Sequence, residues 1–257
     1  MDLLLLSNST NCGQTIFSHA AEEMVAMAAG DTVTFIPFAL DDWDGYGERV
    51  SAALGRLGID VASAHRCDSP DRAILEADVV LVGGGNTFRL LDTLCRLNVL
   101  DGLSRRVREG HTRYLGSSAG TNVACPTIRT TNDMPICQPP SFAALGLLPF
   151  QVNLHYVDPD PHSTYMGESR DERIEEFLEE NDCPVLALYE GSWLRVSGAE
   201  ATVHGPGRLF RRNGRDDPVD GDDVTPLLRA TPSYDRGSRP ERAIGPSHGR
   251  VANASTT

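Results

Sequence analysis

The stretch RYLGSSAGTNVACPTIRTTNDMP, residues 113–135, decides how this chain folds. An apolar run ends in Gly116-Ser117-Ser118-Ala119-Gly120, and a helix-compatible segment follows at once. Read physically, a strand turns sharply into a helix. The five residues match the G-x-S-x-G pattern, in which the central serine stands above a sheet on a strained corner. Glycines flank it because such a corner needs positive φ and a close strand–helix approach. Small residues that merely make a tight joint are the plain alternative. The strand before and the helix after favour the other reading, with Ser118 as a nucleophile.

Outward from that corner, short apolar runs alternate with helical patterns, the signature of a mostly parallel sheet covered on both faces. Strands are expected at Leu3–Ser7, Thr32–Pro37, Val79–Val82, Arg113–Gly116, Phe150–His155 and Val185–Tyr189. Ile16, Phe17, Ala20, Met24, Met27 and Ala28 share one helical face, as do Leu90, Leu91, Leu94 and Leu97. Ser169-Arg-Asp-Glu172 reads as a capping box opening a further helix. After Glu190 the short runs SWLRVSG, ATVHG and GRLFRR predict an antiparallel extension at the sheet edge. From about Asn213 Gly, Pro, Asp and Arg dominate. A single α/β domain is expected over residues 1–228, with 229–257 as a disordered tail.

The 257 residues carry 36 acidic and 23 basic side chains, a formal charge of −13 that argues against nucleic-acid or membrane partners. Every basic residue is arginine. The absence of lysine excludes a Ser–Lys dyad, a Schiff-base lysine and the lysine of a phosphate-binding P-loop. GC-rich coding and salt adaptation both account for this composition. The six cysteines show no C-x-x-C pair and read as reduced thiols. MDLLLLSNST lacks the basic start and long apolar run of a signal peptide, so the cytoplasm is the expected location.

A serine needs a base. His155 ends a strand and so falls on the carboxyl edge beside Ser118, where open α/β sheets gather their active sites. His111 precedes the serine strand and belongs to the far end. His19 lies in the first helix and His248 in the tail. His162, with Asp158 and Asp160, resembles a metal cluster, but the prolines of DPDPH make it a turn; no metal or cofactor is expected. The base needs a carboxylate to fix its tautomer. Glu190 closes a strand and Asp133 lies in the loop TTNDMP. Both stay open, with Glu190 preferred because a strand end is the stiffer mount.

A second informative run is DVVLVGGGNTFRLL, residues 78–91. Glycines between a strand and a helix offer free backbone N–H groups. Phe88 stands where a dinucleotide fingerprint needs glycine, so the nucleotide reading is weak. The better reading is half of an oxyanion hole, with Gly84 and Gly85 on this loop and the N–H of Ala119 on the other side.

SSAGTNVACPTIRTTNDMP, LLLLSNST, VGGGNTF, GESRDERI and EGSW together resemble the peptidase E (α-aspartyl dipeptidase) family, in order, over about residues 1–211. The resemblance implies a flavodoxin-like, class I glutamine-amidotransferase-like sheet. It further implies a serine peptidase that removes N-terminal aspartate from short peptides, with Ser118 as nucleophile and His155 as base. Glu190 looks like the third member, and Asp133 matches an aspartate also proposed for the relay. Ser117 stands where the family often has an aromatic residue, a change expected to alter the pocket wall. An aspartyl substrate needs a fixed cation, and Arg129 near the corner is the expected clamp, with Thr130 and Asn132 adding polar contacts. The rivals are a cyanophycinase-like hydrolase of the same superfamily and a non-catalytic binding module. The match of ACPTIRTTNDMP favours the first reading over the former, and the retention of Ser118, His155 and Glu190 over the latter.

Overall fold

Strand formation follows the apolar runs. The computed structural model describes residues 1–160, 162, 164 and 166–234. In chain order the elements are β1 (Asp2–Leu6), α1 (Ala21–Ala28), β2 (Val33–Ile36), α2 (Trp43–Gly55), β3 (Val61–Ser63), α3 (Pro70–Glu76), β4 (Val79–Val82), α4 (Thr87–Arg96) and α5 (Leu100–Arg108). Then come β5 (Arg113–Ser117), α6 (Ala119–Ala124), β6 (Gln151–Tyr156), α7 (Arg170–Glu180), β7 (Val185–Tyr189), β8 (Trp193–Ser197), β9 (Glu200–His204), β10 (Gly207–Arg211) and β11 (Gly214–Asp216).

These strands build two sheets rather than the single one expected. The larger runs β3-β2-β4-β5-β1-β8-β9, with its first five strands parallel and β8 and β9 antiparallel. The smaller runs β11-β10-β7-β6, and only β6 and β7 are parallel. The expected antiparallel extension is therefore divided: β8 and β9 extend the large sheet, while β10 and β11 extend the small one.

Burial explains the pattern of each run. β1 is leucine at four successive positions because both its faces are covered: Leu3 and Leu5 join the larger core, Leu4 and Leu6 the core under α1 and α2. The inner face of the small sheet, with Val152, Leu154, Leu186 and Leu188, packs into that same larger core. Its outer face, with Tyr156, Val185, Ala187 and Phe210, is covered by Ile174 and Leu178 of α7. The capping box at Ser169 and Glu172 opens α7, as its sequence predicts.

The ordered body runs past the expected boundary at residue 228. Ser233 bridges to Asp182, and the Tyr234 hydroxyl meets Gln151 at 3.2 Å. The rest of the expected tail, 235–257, lies outside the described residues, with His248 among them. Among the described residues no helix is long and apolar enough to cross a membrane, and no cluster of three metal-ligating side chains occurs.

Candidate active site

The corner after β5 is built by close approach. A Cβ on Gly120 would stand 2.1 Å from the carbonyl oxygen of Val82, so only glycine lets α6 start this near β4. Ser118 takes φ 50° and ψ −111°, conformations an L-residue holds only when its surroundings enforce them. They do. Its N–H donates to Leu6 O at 3.1 Å, and the Thr121 hydroxyl donates to Leu6 O and Gly116 O. The buried Tyr114 hydroxyl donates to Gly120 O at 2.6 Å, and burial pushes its pKa well above the usual range. All six residues of α6 are buried.

The base and acid come from the small sheet. His155 also has positive φ, 52°, at a point where the pairing of β6 with β7 slips between Asn153 and Tyr156. Such an irregularity re-aims a side chain. The His155 ring faces Ser118, with Oγ to Nε2 at 2.9 Å, and Glu190 Oε1 lies 3.0 Å from Nδ1. Ser7, just past β1, ties the two sheets here: its hydroxyl donates to Leu188 O and accepts the His155 N–H, each at 3.0 Å. The chain leaves Glu190 through Gly191, whose N–H donates to Asn8 Oδ1 at 2.8 Å.

The glycine loop between β4 and α4 is fastened at three of four successive N–H groups. Gly83 donates to Ile36 O at 3.1 Å, Gly84 to the Tyr46 hydroxyl at 2.8 Å and Asn86 to Ala39 O at 2.9 Å. Gly84, expected as an oxyanion donor, is thus already engaged. Gly85, with φ +135°, keeps an N–H with no acceptor among the described residues, and so does Ala119 at the first turn of α6. The Gly120 N–H is likewise without an acceptor among the described residues, so the corner leaves three donors, of which Gly85 and Ala119 belong to the expected set.

Several expected residues serve elsewhere. Asp133 does not touch the histidine. Its Oδ2 accepts the Thr87 N–H at 2.7 Å, the Thr87 hydroxyl at 2.5 Å and the Thr131 hydroxyl at 3.1 Å, capping α4 from outside. Thr130 donates to Val152 O and Asn132 to Leu154 O, which lashes their segment along β6 and uses up the polar groups meant for substrate. Arg129, at the start of that segment, reaches Asn181 Oδ1 at 3.4 Å and lies over the Tyr234 ring. Those partners sit at the Gln151 end of β6, away from His155, because the segment runs alongside the strand. Ser117 is fully buried, its hydroxyl without a partner among the described residues, so it underlies the corner rather than forming a pocket wall.

One residue escaped the sequence reading. Arg170 opens α7 and lines a hollow with Val157, Asp158, Asp160 and Glu168, just past His155. Burial pushes its pKa down, the Arg173 charge adds to this, and the nearby Asp133 opposes it. It has no hydrogen bond or ion pair among the described residues. The signal was present in GESRDERI: a cation at the first position of a helix opposes the macrodipole, and such a misfit needs a reason.

Comparison with known proteins bears on the family and the fold. The sequence model of peptidase family S51 matches residues 3–204. Peptidase E of Streptomyces coelicolor is 52% identical over 244 residues, covering 93% of this chain and 100% of that protein. A probable alpha-aspartyl dipeptidase of Drosophila melanogaster is 44% identical, covering 83% and 91%. Among solved structures, a peptidase from an acI-B1 actinobacterium aligns with TM-score 0.61 at 14% identity, over 87% of this chain and 96% of that one. A putative peptidase E protein from Listeria monocytogenes gives 0.53 at 23%, over 85% and 98%; both speak to the fold alone. By sequence match along most of its length, the chain belongs to peptidase family S51, the serine-type peptidases that include peptidase E.

Proposed function

We propose that this serine dipeptidase releases N-terminal aspartate from Asp-X dipeptides, with Ser118, His155 and Glu190 as its catalytic relay. The observation that carries the reading is the unbroken line from Ser118 Oγ through the His155 ring to Glu190 Oε1, at 2.9 and 3.0 Å. His155 takes the serine proton at Nε2 as Oγ attacks the peptide carbonyl, while Glu190 fixes the tautomer by accepting from Nδ1. The N–H groups of Gly85 and Ala119 receive the oxyanion. His155 then protonates the leaving amine, and water, deprotonated by the same ring, frees aspartate from the acyl-enzyme. No step calls for a metal or an organic cofactor.

Aspartate preference is assigned to Arg170. It is the cation beside this edge that has no counter-charge bonded to it among the described residues, and a guanidinium suits a carboxylate through paired hydrogen bonds. The likeness to a probable alpha-aspartyl dipeptidase supports aspartate as the residue to be held. Asp133 is placed as a support of the glycine loop. The free cysteines, exposed Cys12 among them, fit a reducing compartment such as the cytoplasm.

Purified protein is expected to cleave Asp-Leu and to spare Ala-Leu and Glu-Leu; equal rates on all three would refute the preference. Arg170→Ala should lower kcat/KM for Asp-Leu by about 10²-fold, the worth of a charge-assisted contact. Arg129→Ala should leave it unchanged, and the reverse outcome would return the clamp to Arg129.

A further inference from the structure

We infer that Tyr46 of α2 is a positioning residue for the reaction, its hydroxyl deciding which backbone N–H of the glycine loop faces the substrate. The inference rests on the hydrolase reading above and deepens it.

Three acceptors hold the loop, and their nature differs. Ile36 O and Ala39 O belong to the backbone of β2 and the turn after it, so no single side-chain change removes them. The third acceptor, on Gly84, is the Tyr46 oxygen. Tyr46 is 8% exposed, its ring meets Phe35 edge-on at 5.0 Å, and a Cβ on Gly83 would lie 2.7 Å from the hydroxyl. The loop therefore rests directly on the phenol. Burial pushes the Tyr46 pKa up to about 12, so the group stays a neutral hydroxyl throughout the working pH range.

Consecutive N–H groups in a loop compete for direction. The Gly84 N–H, held at 2.8 Å by Tyr46, points down into the protein, which leaves Gly85 free to point out. Gly85 has no room for a side chain, since a Cβ there would sit 2.6 Å from Ala39 O, and its φ of +135° suits glycine alone. With the phenol oxygen gone, Gly84 carries a buried donor without an acceptor, an unfavourable state that peptide rotation relieves. Rotation of that peptide unit tilts its neighbour, and an oxyanion donor works only within tight limits of distance and angle.

Tyr46→Phe keeps the ring and removes the acceptor. With Asp-Leu, kcat should fall about tenfold or more, short of the ~10²–10³ lost when a donor is deleted outright. KM should change by less than about twofold, because the ground-state carbonyl makes little use of the hole. Affinity for an aspartate-derived boronic acid, a tetrahedral mimic, should drop by the same factor as kcat. An unchanged kcat, or a loss confined to KM, overturns the inference. Wild-type hydrogen exchange provides a check that needs neither turnover nor a folded variant. The Gly84 amide should be strongly protected and the Gly85 amide fast; equal exchange at the two sinks the proposal. If the wild-type enzyme neither cleaves Asp-Leu nor binds the boronate, the substrate reading fails, and the exchange result still decides the clamp.

Discussion

Among the described residues two Ser–His–carboxylate chains stand out, and only one has its serine on a strained corner. Ser63 Oγ lies 3.0 Å from His65 Nδ1, and His65 Nε2 lies 3.1 Å from Asp44 Oδ1. By distance alone this matches Ser118–His155–Glu190. Three features separate them. Ser63 has ordinary extended backbone, φ −83° and ψ 122°, whereas Ser118 is forced into a strained turn that lifts its hydroxyl clear of the sheet. Asp44 is shared with Arg66 at 2.8 Å, and hydrogen bonds from His65 and Arg66 hold its carboxyl below the usual range; it serves as an anchor for a loop. The glycine that faces Ser63 is Gly47, inside α2 rather than in a loop with free N–H groups. Contact distances within a relay are common goods in proteins; a strained mount and free N–H donors beside it are what turn a hydrogen-bonded chain into a nucleophile.

Breaking each chain in turn should expose that difference. Ser118→Ala is expected to cut kcat/KM for Asp-Leu by about 10⁴-fold or more with the circular dichroism spectrum retained. Glu190→Gln should cost about 10²–10⁴, since it spoils the tautomer and leaves the nucleophile in place; normal activity would force another acid into the scheme. Gly120→Ala tests the mount itself. It should destabilise by about 2–3 kcal/mol in urea unfolding, because backbone rather than a flexible side chain blocks the new methyl. Asp133→Asn should cost about 1 kcal/mol through a weakened cap on α4, read from the same unfolding curves. The smallest effect belongs to Ser63→Ala, with activity expected within twofold of wild type by steady-state assay; a large loss there would mean that the second chain reaches the chemistry.

Much of this was legible in the sequence. The six apolar runs, the capping box at Ser169 and the corner at Ser118 are written as local patterns, and local patterns survive into the fold. The two sheets were not legible, because β6 and β7 are covered on both faces and read like the strands of the large sheet. Arg129 lies apart from the histidine because nearness along the chain is not nearness in space: its segment runs beside β6, carrying Asn132 toward His155 and Arg129 away. The bond that engages Gly84 was hidden for another reason. Three glycines in a row advertise free N–H groups, but which of them is free depends on a tyrosine 38 positions earlier. Arg170 was visible only as a charge on the wrong end of a helix.

The division of labour between the sheets has a bearing on how the enzyme is born. The proposed nucleophile stands at residue 118, yet the histidine and carboxylate proposed to serve it come only at residues 155 and 190, on a sheet that packs into the shared core and is tied to the end of β1 by the Ser7 hydroxyl. On that reading a chain that has not reached residue 155 holds only an unactivated serine. In the finished molecule the same seam is a fuse: gentle heating that parts the layers should extinguish turnover before the main body melts.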